Sequence, residues 1–205
     1  MKKISLLLCL IISLLTLSCG GNSNAEKTKD ALEKGSLKEA ETYLKKVSDN
    51  QTQRYYGGLL IDEYLAINQL DKAIYVFEKI TGHCSMYDMK YESLHKSAYY
   101  TKEYSKKIYD ALLSEGRYDE AWNYHSLSYD GEDYPGNAPD YFAYMSDCIL
   151  QMCNSGQKAQ AQKFIKQKSV WFLKNVDNHK WGKDYPNFRY DIMRNELNKV
   201  YNNAQ

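Results

Sequence analysis

One six-residue pattern recurs four times along the chain and limits what it can become. Gly35-Ser-Leu-Lys-Glu-Ala40, Asn68-Gln-Leu-Asp-Lys-Ala73, Gly116-Arg-Tyr-Asp-Glu-Ala121 and Gly156-Gln-Lys-Ala-Gln-Ala161 each set an alanine five residues after a glycine or its substitute. Glycine, with asparagine as its usual stand-in, tolerates the left-handed backbone that ends one helix, so the alanine falls a turn into the next. An alanine there lets two helices cross closely. Beyond it, Ala40, Leu44, Val47 and Ala73, Phe77, Ile80 follow the spacing i, i+4, i+7 and share one helical face. The segments ahead of the turns supply facing stripes: Leu60, Tyr64 and Ile67; Tyr104, Ile108 and Ala111; Tyr141, Met145, Cys148 and Met152. The expectation is an all-α chain, an array of helical hairpins.

The turns are 33, 48 and 40 residues apart, so the later intervals carry insertions. Gly82-His83-Cys84-Ser85 reads as a loop, followed by a long polar and aromatic helix from about Asp88 to Ser114. Tyr129 to Pro139 holds two prolines, two glycines and three acids and reads as a surface loop. After a second loop around Trp181 to Pro186, Ile192, Met193, Leu197, Val200 and Tyr201 form an amphipathic stripe suited to a C-terminal capping helix.

The repeated hairpin resembles the tetratricopeptide repeat. In that family the second helix opens with glycine, has an aromatic or leucine two places on, alanine at the fifth place and a bulky apolar residue four beyond. The family period is about 34 residues, which only the first interval approaches. This chain departs at Asn68, at Lys158 in place of the aromatic, and at His125 in the last apolar place. The resemblance implies a TPR-like α-solenoid whose first helices line a concave, partner-binding groove. Carried over position by position, it selects Tyr55, Asp62, Leu65, Glu103, Lys106, Asp110 and Leu113. The lysine and asparagine set with which some members clamp a terminal carboxylate is missing. Lys106 stands alone, and Asp62 and Asp110 take the asparagine places.

The amino terminus speaks to location. Lys2 and Lys3 precede fourteen mostly apolar residues, Ile4 to Leu17, and then Ser18-Cys19-Gly20-Gly21. The run is shorter than the ~20 residues of a spanning helix. It resembles a bacterial lipoprotein signal, although Thr16 stands where that pattern prefers leucine. The resemblance implies cleavage before Cys19 and lipidation of its thiol. It also implies a Gram-negative envelope location, with the outer membrane favoured because Gly20, not aspartate, follows the cysteine. The chain then divides into a signal peptide (1–18), the lipidated cysteine with a short tether (19–25) and a helical repeat domain (26–205). An extended tether over residues 20 to 26 spans at most about 20 to 25 Å, which keeps the periplasmic-facing body near its bilayer.

Removing the signal takes away Lys2 and Lys3 and no acid, so 27 basic residues become 25 against 26 acidic ones, a net charge of −1. Such a body offers a polyanion no bulk attraction, and nucleic acid is not an expected partner. With Cys9 lost and Cys19 lipidated, three cysteine thiols remain: Cys84, Cys148 and Cys153. Five positions apart on one helix, Cys148 and Cys153 point well apart and cannot pair. Cys84 can reach one of them, while buried thiols acting as small hydrophobes are the simpler reading.

Twenty tyrosines offer flat apolar faces with hydroxyl tips, useful on binding surfaces and equally useful as filler between helices. Asp130, Glu132, Asp133 and Asp140 could converge on calcium, but their spacing matches no defined calcium loop. Glu92 and His95 make a single Glu-x-x-His step, and His83 beside Cys84 is too sparse for zinc. With no phosphate loop, serine elbow or paired-histidine helix, the expectation is a binding or assembly module, not an enzyme, with no cofactor and no metal. Its expected partner is an envelope protein or peptide. The alternative is a carbohydrate-binding lipoprotein stacking glycans on exposed tyrosines and on Trp122, Trp171 and Trp181.

Overall fold

A computed structural model describes residues 20–81, 94–128, 138–178 and 186–204, with side chains throughout except at 20–22, 94–101 and 126–128. The first two hairpins are α1 (Gly20–Glu33) with α2 (Leu37–Leu44), and α3 (Asn50–Ala66) with α4 (Leu70–Tyr75), which runs on as a π-helical turn at Val76–Ile80. The next two are α5 (Leu94–Ser114) with α6 (Tyr118–Ser128), and α7 (Ala138–Asn154) with α8 (Lys158–Lys168). A short α9 (Val170–Phe172) continues as a π-helical turn at Leu173–Asp177, and α10 (Tyr190–Asn203) follows a 3-10 turn at Pro186–Phe188. No strand occurs among the described residues.

All four recurrent turns close in the same way. The second residue beyond the first helix is left-handed in each: Gly35 at φ +68°, Asn68 at +56°, Gly116 at +74° and Gly156 at +74°. Two backbone bonds seal the first turn, the Gly35 N–H donating to the Leu32 carbonyl at 2.9 Å and the Ser36 N–H to the Ala31 carbonyl at 2.8 Å. The same pair recurs at Asn68 and Gln69, at Gly116 and Arg117, and at Gly156 and Gln157. This is the Schellman motif, which satisfies carbonyls that the helix end would leave open. The next helix begins in register, because the Ala40, Ala73, Ala121 and Ala161 N–H groups donate to the carbonyls of Ser36, Gln69, Arg117 and Gln157. All four alanines are fully buried, so nothing larger than a methyl stands at these places.

The chain falls into two compact units, Met1–Tyr104 and Ser105–Gln205. In the first, α1 packs on α2 and α3, and α3 packs on α2, α4 and the π turn. Leu44, Leu60, Ile61, Val76 and Phe77 are its fully buried large residues. The Asp49 side chain caps α3, accepting from the Thr52 N–H at 2.7 Å. In the second unit α7 lies against α6, α8 and α10, and α10 also meets α8 and α9. Ile108, Leu112, Met145, Ile149, Phe172 and Leu197 fill that core.

Several expectations shift. Helix α1 begins at Gly20, so the stretch read as an extended tether is its opening turns. Asn24 joins it to the body, its amide donating to the Lys46 carbonyl at 3.3 Å, and its carbonyl accepts from the Thr28 hydroxyl. The six helical steps from residue 20 to residue 26 rise only about 9 Å, well under the extended span. Pro139, read as loop, stands in the first turn of α7, where a missing N–H costs no helical bond. Ile67 is half exposed because it follows the last helical residue of α3 as its cap. On α10 the inward row is Met193, Leu197 and Tyr201, with Ile192 turned toward solvent. Helix α5 is described only from Leu94, and the loop expected at Tyr129 lies, up to residue 137, outside the described residues.

Candidate functional site

In the first unit, α3 carries an outward apolar strip. Tyr55 is 65 % exposed and Leu59 39 %, one turn apart, and exposed Ala66 continues the row. The Tyr55 ring meets that of Tyr56 edge-on at 5.2 Å. Asp62 and Leu65, expected on this surface, are half-buried, and Asp62 accepts from the Tyr104 hydroxyl at 3.4 Å. Glu103 is also half-buried. Gly58 explains how Tyr104 comes so near, because a Cβ at that position would enter the tyrosine ring.

The second unit holds the other expected positions. Lys106 and Asp110 pair one turn apart on the exposed side of α5. Leu113, assigned to the same surface, is buried, continuing the inward row from Tyr109. Sequence reasoning missed Asp147 of α7, which accepts from the Tyr109 hydroxyl at 2.8 Å. Burial pushes its carboxyl above the usual carboxylate range and Asp110 adds to this, while the Tyr109 bond and the Lys106 charge oppose it. The available signal was a carboxylate set between Met145 and Cys148, both on the inward stripe of α7.

Tyrosine hydroxyls tie consecutive hairpins within each unit. Tyr64 of α3 donates to Glu41 of α2 at 3.1 Å, and Tyr144 of α7 donates to the Tyr118 carbonyl of α6 at 2.7 Å. Glu41 is buried, yet the bonds from Lys45 and Tyr64 and the charges of Lys45 and Lys72 outweigh desolvation and hold its carboxyl below the ordinary range. Desolvation and this partner push the Tyr64 phenol up to about 12. Most tyrosines whose burial is described therefore pack between helices, where the hydroxyls of Tyr64, Tyr109 and Tyr144 find acceptors.

Behind α5 and α7 stands an aromatic core. His125, fully buried at the repeat's last apolar place, meets Tyr109 edge-on at 5.1 Å and stacks on Trp122 at 5.8 Å. Desolvation pushes its imidazole down to about 4, so it is neutral near pH 7. Tyr141 stacks on Trp171 at 4.1 Å and meets Trp122 edge-on at 4.9 Å. Trp122 and Trp171 thus turn ring surface toward Tyr141, not toward a shared open plane. Trp181 lies outside the described residues.

A cleft of about 520 Å³ opens beside the third turn, between the start of α6 and helix α8. Its floor includes Tyr118, Phe164 and Met152, and its rim includes Asp119, Lys163 and Lys168. Lys168 reaches Asp119 at 2.5 Å, joining the two second helices.

Among the described residues no three His, Cys, Asp or Glu side chains gather as a metal ion requires. Asp140 is half-buried; Asp130, Glu132, Asp133, His83, Cys84 and Glu92, and the His95 side chain, lie outside the described residues. Cys148 and Cys153 are buried free thiols, and burial pushes the Cys148 thiol up, away from reactivity. No described helix is long and apolar enough to cross a membrane, and Cys19 is not among the described residues. Comparison of the chain with protein families, with curated proteins and with solved structures finds no match.

Proposed function

We propose that this chain is a lipid-anchored binding module of a Gram-negative envelope, a TPR-like stack that engages a protein partner through its first helices. The observation that carries the reading is the strip on α3, where Tyr55 and Leu59 stand in solvent on a helix whose other face is fully packed. An exposed tyrosine and leucine one turn apart form a ready anchor, since aromatic and aliphatic side chains dominate partner recognition. The four matched turns support the stack, because each joins its two helices through the same left-handed residue and the same pair of backbone bonds. The anchor rests on the sequence alone, on the Ile4 to Leu17 run and Cys19. Chemistry would need converging reactive groups, and the perturbed groups seen here are instead held in packing contacts.

The test is recovery of a partner from crosslinked envelopes with the tagged full-length lipoprotein. Wild type is expected to bring down one membrane protein in stoichiometric yield. Tyr55→Ala with Leu59→Ala is expected to lower that yield about tenfold or more, with the melting temperature unchanged. Equal recovery by the variant, or polysaccharide retention with no protein, would overturn the proposal.

A further inference from the structure

The cleft between α6 and α8 belongs to the second unit and has a chemistry of its own. Its volume, about 520 Å³, falls in the range of small-ligand sites. Helix α8 supplies one wall with an unusual composition: four lysines, three glutamines and no acid, in a chain whose charges otherwise nearly balance. Two of those lysines, Lys163 and Lys168, reach the cleft, and Asp119 is the one carboxylate on it. Asp119 is engaged by Lys168, whereas exposed Lys163 pairs with no carboxylate among the described residues. Among the described residues the cleft therefore keeps one ammonium group without a carboxylate.

Gln160 and Gln167 stand on the same wall, each with an amide that can donate and accept. Such groups suit hydroxyls, which also do both. The floor is aromatic and apolar: Tyr118 and Phe164 meet edge-on at 6.1 Å, with Met152 beside them. Small residues, Gly116 and Ala159, leave the opening wide. A single anionic group, several hydroxyls and a partly apolar ring face would satisfy all three features together.

We propose that this cleft binds a polyhydroxylated carboxylate of the acidic-sugar class, its carboxylate on Lys163, its hydroxyls on Gln160 and Gln167, and its ring against Phe164 and Tyr118. The site does not depend on the α3 surface, so the two proposals fail separately. Calorimetric titration of the full-length protein in neutral detergent with D-glucuronate, D-glucose and inorganic phosphate tests it. Glucuronate is expected to bind saturably at one site, and glucose and phosphate each about tenfold more weakly or not at all. Lys163→Ala should weaken glucuronate about tenfold, as loss of a charge-assisted contact does. Lys166→Ala, exposed on the same helix but off the cleft, should change it by less than about twofold. Gln167→Ala should weaken glucuronate while leaving phosphate unaffected. Absence of glucuronate binding, equal binding of glucose or phosphate, or equal loss in the Lys163 and Lys166 variants would overturn the assignment.

Discussion

At the scale of single residues, a titratable group placed in the core ties stability to pH. His125 shows the consequence for pH. Its folded pKa of about 4 lies below the 6.5 of the free side chain, so on acidification the unfolded chain takes up a proton first and stability falls as pH drops from about 6.5 toward 4. Comparing wild type with His125→Phe by urea unfolding isolates the effect. The phenylalanine variant should gain about 2 kcal/mol relative to wild type between pH 7 and pH 5. An unchanged difference would mean an imidazole that titrates normally. Glu41 works lower on the scale: its depressed carboxyl contributes stability that is present above pH 4.5 and lost as pH falls through the folded value. Glu41→Gln should cost about 1 to 3 kcal/mol at pH 7, read by the same unfolding assay, and the gap should close in acid. The place of His125 was legible from repeat register, but its ring partners were not, because Tyr109 and Tyr144 come from other helices. Asp147 and Glu41 were invisible as partners for the same reason.

At the scale of elements, the turn chemistry was the most legible part of the chain. Left-handed backbone leaves a strong local mark, and Gly35, Asn68, Gly116 and Gly156 all adopt it. A methyl at Gly35 or Gly156 would meet no neighbour within 4 Å, so Gly35→Ala and Gly156→Ala report backbone strain alone. Each should destabilise by about 1 kcal/mol in thermal or urea unfolding, whereas Asn68→Gly should stay within about 0.5 kcal/mol. Wild-type stability in both alanine variants would mean that the left-handed turns relax at no cost. Helix starts were less legible. Gly20 and Pro139 are poor helix residues by propensity, yet both fall in first turns, where the helical hydrogen bonds that propensity scales measure have not yet begun.

At the scale of the whole molecule, an all-helical chain built on four matching turns followed from the sequence, because local spacing encodes hairpins. Surface roles were harder to read. Of the positions carried over from the repeat resemblance, Tyr55 stands in solvent and Leu113 is buried, and no sequence spacing distinguishes them. The cleft between α6 and α8 escaped notice because its walls come from residues some forty positions apart. What the account requires above all is that each repeated alanine be pinched between neighbouring helices. Thermal unfolding of Ala40→Leu, Ala73→Leu, Ala121→Leu and Ala161→Leu, beside Ala66→Leu at an exposed site, measures this directly. Overpacking of about 1 to 3 kcal/mol should lower each of the four melting temperatures by about 3 to 10 °C and leave the Ala66 variant unchanged. Four variants as stable as wild type would mean that the helices do not cross there, and the hairpin array would be wrong.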